Sequence, residues 1–262
     1  MTILDRLAEH ARERVERSKA ARPLSDLRRE AESLPKGDFP FERALSGRAL
    51  AFICECKKAS PSKGLIAPDY PFTGIAADYE AAGADAVSVL TEPKWFLGSD
   101  RYLREIAETV SVPVLRKDFT VDPYMIYEAK ALGAGAVLLI CSLLTAEEIE
   151  VYIRTADALG MSSLVEAHDE EELSMAVAAG ARVIGVNNRN LKDFTVDIHN
   201  SIRLRKLAPA DTLFVAESGI RTAADIAELK ENGVNGVLIG ETLMRASDKR
   251  RALGELGGEQ YG

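Results

Sequence analysis

The sequence predicts an α/β protein: a closed (β/α)8 barrel of the TIM-barrel class, with an N-terminal helical extension over residues 1–48. Three observations carry this reading. First, a unit made of a helix end, a glycine and a short apolar run recurs as EAAGADAVSVL, KALGAGAVLLI, DALGMSSLVEA, VAAGARVIGVN and KENGVNGVLIG. Second, eight expected strand ends, near Cys56, Leu90, Lys117, Ile140, Glu166, Asn187, Glu217 and Ile239, follow one another at intervals of 21–34 residues. That is room for a strand, a helix and two connections. Third, 262 residues at 47% hydrophobic are enough for one sizeable core, so residues 1–262 read as a single domain. The alternative, an open doubly wound sheet, would usually show fewer units and a Gly-rich turn after its first strand, which is absent.

The elements follow in chain order. Ile3, Leu4, Leu7, Ala11 and Val15 recur near helical spacing, so a helix or two should pack on the barrel before the first strand. That strand spans Leu50 to Cys56. Its period of two puts Glu55 and Lys57 on one face and Cys54 and Cys56 on the other. The apolar runs are too short for helices and suit strands buried on both faces. Pro113 to Lys117 and Thr212 to Glu217 supply the third and seventh strands. Gly83, Gly133, Gly160, Gly180 and Gly233 stand where helices should stop in a left-handed residue. Helix starts are marked by Asp122 before Pro123, and by Thr145, Asp169 and Thr222, each with an acid three residues on, the capping-box pattern, looser at Thr222. The tail GELGGEQYG is expected to fray.

Bulk properties narrow the function. A net charge of −8 argues against a general nucleic-acid or anionic-membrane binder, while leaving room for a local anion pocket. No run of about 18 apolar residues marks a membrane span, and the charged N-terminus lacks the apolar core of a signal peptide. Three cysteines, Cys54, Cys56 and Cys141, fit a reducing cytoplasm better than a disulfide framework. The pair on the first strand reads as small buried hydrophobes. His10, His168 and His199 show no metal-ligand spacing.

The chemistry of such barrels lies at the C-terminal strand ends, and here those ends are charged. The first ends with Glu55 and Lys57, the third with Lys117 and Asp118, and the fifth with Glu166. The sixth ends with Asn187 and Arg189, the seventh with Glu217 and Ser218, and the eighth in LIGET, with Leu238, Gly240 and Glu241. One such charge is ordinarily a solvated residue. Six of eight at one end suggest acids and bases converging on a substrate. Ser218-Gly219 and Gly240-Glu241 each lead toward a short helix, an arrangement suited to a phosphate. Ser60, Pro61, Ser62, Lys63 and Gly64 form the first loop, which reads equally as a lid and as a polar solvent loop.

These residues fall within motifs that resemble one known family. ECKKASPSKG, SVLTEPKWFLGS, VLRKDFTVDPYMIYEAKALGAGAVLLI, LVEAHDEEEL, GVNNRNL, AESGI and GVLIGETLM, in this order, are similar to the motifs of indole-3-glycerol phosphate synthase over nearly the whole chain. The resemblance implies a carboxy-lyase of tryptophan biosynthesis, acting in the cytoplasm on a small phosphorylated substrate, with no nucleic acid, membrane, metal or organic cofactor. The reaction implied is ring closure of 1-(2-carboxyphenylamino)-1-deoxyribulose 5-phosphate to indole-3-glycerol phosphate, carbon dioxide and water. Matching motif to motif, Lys117 is the general acid that protonates the ketone. Glu166 is a general base or a stabiliser of positive charge on the anilino nitrogen. Lys57 binds the substrate carboxylate or phosphate and helps proton transfer during dehydration. Glu55 orders the lysines, Asn187 contacts the ribulose hydroxyls and Arg189 supports it. Ser60 lies near the substrate, and Ser218, Gly219, Gly240 and Glu241 belong to the phosphate loops, with Leu238 below them. Trp95, Phe96 and Phe119 are expected around the anthranilate ring, with ordinary core packing a competing reading for Trp95 and Phe119. Leu97 stands where many relatives carry a polar residue.

Two other functions fit parts of this pattern: a phosphate-binding sugar isomerase and a catalytically idle barrel kept for assembly. The extension and the combination of Glu55, Lys57, Lys117 and Glu166 speak against the first. The full set of strand-end charges speaks against the second. Whether nearby carboxylates keep Lys117 protonated or burial tunes it downward is open from sequence.

Overall fold

The computed structural model describes residues 2–189 and 195–258. Eight parallel strands close into a barrel: β1 (Ala51–Cys56), β2 (Ala86–Leu90), β3 (Val114–Lys117), β4 (Ala136–Ile140), β5 (Ser162–Ala167), β6 (Val183–Asn187), β7 (Leu213–Glu217) and β8 (Gly236–Ile239). Each pairs with its sequence neighbours, and β8 pairs with β1. The expected strand ends hold, except that β5 runs one residue further, to Ala167. Register sets the functional level: Lys117 lies beside Leu90, Glu166 beside both Ile140 and Gly185, and Glu217 beside both Asn187 and Leu238. Residues distant in sequence therefore meet at one height.

Alternation divides the strands between two cores. Ala51, Ile53, Leu115, Leu138, Leu164 and Val215 fill the barrel. Cys54, Cys56, Val87, Val137, Val165 and Ala216 face the helices. All five helix-ending glycines have positive φ, from +70° to +95°. Three helices precede β1 rather than one or two: α1 (Ile3–Ala21), α2 (Leu24–Ser33) and α3 (Pro40–Ser46). α3 closes the barrel floor, with Phe41 and Leu45 fully buried inside it. A side chain at Gly236 would stand 2.8 Å from Leu45 Cδ2, so that glycine makes space for the plug.

The outer helices are α4 (Phe72–Ala81), α5 (Asp100–Thr109), α6 (Pro123–Ala131), α7 (Ala146–Ala158), α8 (Glu170–Ala178), α9 (His199–Arg205), α10 (Ala223–Glu231), α11 (Glu241–Arg245) and α12 (Lys249–Leu256). Thr145 and Thr222 form full capping boxes. Asp169 caps α8, but Glu172 reaches past it to His168, so the third expected box is only half made. The tail also differs from expectation. Gly254, Glu255 and Leu256 complete α12, with Leu256 buried; only its last residues, 259–262, lie outside the described residues, as do Asn190 and Leu191 of the GVNNRNL motif. Among the described residues, no helix is long and apolar enough to cross a membrane.

Candidate active site

A cavity of about 430 Å³ opens at the C-terminal mouth of the barrel. Thirteen of the site residues named from the sequence line it: Glu55, Lys57, Ser60, Lys117, Phe119, Glu166, Asn187, Arg189, Ser218, Gly219, Leu238, Gly240 and Glu241. On β1, Lys57 Nζ donates to Glu55 Oε2 at 2.6 Å, while Cys54 and Cys56 point outward and are fully buried. The pair needs Gly240. A side chain there would stand 2.8 Å from Lys57 Nζ and overlap Glu55 Oε2.

Lys117, at the end of β3, is the centre of the site. Its ammonium donates to Glu166 Oε2 at 3.1 Å and lies 3.3 Å from Glu217 Oε2. The other oxygen of Glu166 accepts from Asn187 Nδ2 at 3.2 Å. Asn187 is held in turn, its Oδ1 accepting the Arg189 backbone N–H at 3.1 Å. Burial alone would lower the Lys117 pKa, but Glu166, Glu217 and Glu55 more than reverse this, so the lysine keeps its proton. Burial would raise Glu166, yet Lys117, His168 and Asn187 hold it below the usual carboxylate range. Glu217 goes the other way. Burial and the charges of Glu166 and Glu55 outweigh Lys117 and push it up to about 7.

The opposite rim is built from the last loops. Ser218 and Gly219 have φ of +68° and +83°. Gly219 must lack a side chain because Val196 Cγ1 occupies the place a Cβ would take. The first loop folds as a small hairpin, Ala59–Ser60 against Gly64–Leu65, with Ser60, Pro61 and Ser62 on the cavity. Lys63 reaches to 3.5 Å from Glu241, so the first and last loops meet over the mouth. Among the described residues, no three histidine, cysteine or carboxylate side chains gather as a metal-binding group.

One expectation is corrected. Phe96 and Phe119 line the cavity with ring centroids 6.1 Å apart, but Trp95 does not. Glu92 accepts the backbone N–H groups of Lys94, Trp95 and Phe96. That tight loop turns Trp95 outward, edge-on to His10 with Arg6 and Lys94 over its ring. Leu97, with φ +52° and 40% exposure, is likewise off the cavity. Three contributions were missed. Glu217, expected only as a strand-end acid, stands 3.3 Å from Lys117, at the level the barrel register sets. Ile3, Leu4 and Leu7 of α1 line the cavity, which α1's periodicity alone does not reveal. Asp118 serves structure as well as lining: it is buried and accepts two hydrogen bonds from Arg14 of α1.

Comparison with known proteins agrees with this geometry. Residues 4–256 match the family described as indole-3-glycerol phosphate synthase. The indole-3-glycerol phosphate synthase of Ruminiclostridium cellulolyticum is 58% identical over 257 residues, covering 98% of this chain and 99% of that protein. The enzyme of the same name from Endomicrobium trichonymphae is 52% identical, covering 97% and 99%. A solved 3-hexulose-6-phosphate synthase from Salmonella typhimurium superimposes with a TM-score of 0.66 at 15% identity, over 80% of this chain and 97% of that one, a likeness of fold. With near-complete coverage at these identities, the chain belongs to the indole-3-glycerol phosphate synthase family.

Proposed function

We propose that the chain is a carboxy-lyase that closes the indole ring of 1-(2-carboxyphenylamino)-1-deoxyribulose 5-phosphate, and that the cavity residues divide the work as follows. The observation that carries this is one ammonium, Lys117, set between two buried carboxylates at 3.1 and 3.3 Å at the mouth of the barrel. Lys117 gives a proton to the ketone oxygen as the aryl carbon bonds to the ketone carbon. The resulting cation loses carbon dioxide, and the electron pair of the broken bond restores the aromatic ring. The hydroxyl then leaves as water, with a second proton supplied from the Lys57 and Glu55 side, and the nitrogen lone pair takes up the positive charge. Glu166, an anion at neutral pH, removes a proton from the carbon next to that nitrogen, and the C–H pair becomes the double bond of the indole. The carboxylate enters charged and leaves as neutral gas, so each turnover consumes one proton from solution. Placed proton transfers of this kind are each worth about 10²–10⁴-fold.

The substrate's two ends suit the two rims. The phosphate is assigned to the backbone N–H groups around Ser218-Gly219 and Gly240-Glu241, and the aryl ring to Phe96 and Phe119. Asn187 and Ser60 face the ribulose chain between them. The extension and barrel act as one unit, since α1 supplies part of the cavity wall. The test is a fluorescence assay of indole-3-glycerol phosphate formation for the parent and Lys117→Ala. Product from the parent and a fall of several orders of magnitude in the variant are expected. No product from folded parent protein overturns the reading. Undiminished turnover in the variant moves the acid role to Lys57.

A further inference from the structure

We propose that His168 is a positioning residue for Glu166: its imidazole, anchored on Glu172, fixes the direction and the charge of that carboxylate. The proposal rests on the lyase reading only in assigning Glu166 to the chemistry. His168 follows the last residue of β5, two places after Glu166 and therefore on the same side of the chain. One carboxylate oxygen pins it twice. Glu172 Oε2 accepts the His168 backbone N–H at 2.8 Å and lies 3.0 Å from ring Nδ1. From α9, Asn200 Nδ2 donates to the His168 carbonyl at 3.0 Å. The ring is thus held from α8, and its chain is held from α8 and α9.

The free end of the ring decides what this anchoring does. Nε2 is buried and makes no directed hydrogen bond, and it lies 3.3 Å from Glu166 Oε1. Because Nδ1 sits against a carboxylate, Nδ1 carries a proton. A neutral ring would then turn the Nε2 lone pair toward an anionic oxygen. The imidazolium replaces that repulsion with attraction. The charged groups around the ring favour it: Glu166 on β5, Glu172 on α8 and Glu217 on β7 raise the His168 pKa against the opposing effect of burial. The Cys141 thiol after β4 sits against the Glu172 backbone oxygen and is pushed up to about 12, and the Lys117 ammonium lies across Glu166, on its other oxygen. Asn187 and Asn200 are neutral.

This explains an asymmetry in the site. Glu166 and Glu217 flank the same ammonium at nearly equal distance, yet one is held ionised and the other is pushed up to about 7. Burial does not separate them, since both are 2% exposed. The difference lies on their second oxygens. Glu166 Oε1 has Asn187 and His168, whereas Glu217 Oε1 is buried without a hydrogen-bond partner among the described residues. Paired groups driven apart in this way take separate acid and base roles. His168, together with Asn187, marks Glu166 as the base.

The test combines an NMR titration with kinetics. With three histidines in the chain, the His168 Cε1–H resonance is assigned by its loss in His168→Gln. Its midpoint should lie above 6.5 in the parent and fall by about one pH unit in Glu166→Gln. In His168→Gln, kcat should fall about tenfold with KM little changed, and the acid limb of kcat/KM should move up by about one pH unit. Glu172→Gln, which leaves the ring in place and removes its anchor, should move the limb in the same direction by less; it carries the kinetic test if His168→Gln fails to fold. A midpoint unmoved by Glu166→Gln, or an unshifted acid limb with undiminished kcat in an active parent background, overturns the proposal. An inactive parent would instead sink the lyase reading, and the titration would still decide whether the two side chains are coupled.

Discussion

Glu217→Gln should stabilise the protein, and only on the alkaline side. The Glu217 carboxylate is 2% exposed, with one oxygen 3.3 Å from Lys117 and the other without a partner among the described residues. Burial raises its pKa most, Lys117 lowers it, and Glu166 and Glu55 raise it again, to about 7 against an ordinary 4.5. Between those values the folded chain holds a proton that the unfolded chain has released. Stability therefore falls as pH rises through this window, is unpenalised below it, and bears the full penalty above it. At 1.36 kcal/mol per pKa unit the penalty is about 3 kcal/mol. Glutamine keeps the shape and never ionises. The Tm of the variant should exceed that of the parent by about 6–12 °C near pH 8 and match it near pH 4.5, read by calorimetry at a series of pH values. A variant less stable than the parent near pH 8 would show that attraction to Lys117 outweighs burial and repulsion together, and would refute the reasoning.

Two further changes test how the site is supported. Gly185→Ala places a methyl group against Glu217 Oε1 and 3.1 Å from Leu164 Cδ1. Because the obstructed atom is the end of a side chain, kcat/KM should fall about tenfold or more with little change in the urea midpoint, and an unchanged kcat/KM would refute the contact. Arg14→Met strips a buried carboxylate of its two-bond partner, leaving Asp118 with Thr91, the Phe119 backbone N–H and, at 4.0 Å, Arg116. Urea unfolding should show a loss of about 2–4 kcal/mol, largely recovered when Asp118→Asn is added, whereas a loss confined to a few tenths would show that the pair contributes nothing net.

The barrel was legible because its signals are local. Helix-ending glycines, apolar runs and N-caps each depend on a few neighbouring residues, so the strand ends came out nearly to the residue. Alternation likewise gave the side of the strand: Glu55 and Lys57 in, Cys54 and Cys56 out. Local patterns fail where a second partner intervenes, near or far in sequence. Asp169 and Glu172 have capping-box spacing, but His168 competes for the glutamate and wins both of its contacts to Oε2. Trp95 and Phe96 are both expected around the aryl ring until Glu92 gathers three backbone N–H groups and His10 of α1 receives the tryptophan edge-on. The extension read as packing, and only the closed fold shows Ile3, Leu4 and Leu7 reaching the cavity.

The same distinction governs the chemistry. Alternation assigns Glu166 and Glu217 to the same inner face, and nothing in either motif separates an ionised base from a carboxyl that titrates near neutral pH. The separation arises because β3 brings Lys117 between β5 and β7, while the residue after β5, anchored from α8, and β6 supply Glu166 alone with a histidine and an amide. Protonation in this site is therefore set by five elements at once. Substituting His168 or Asn187 should alter which carboxylate holds the proton, although neither change touches Lys117.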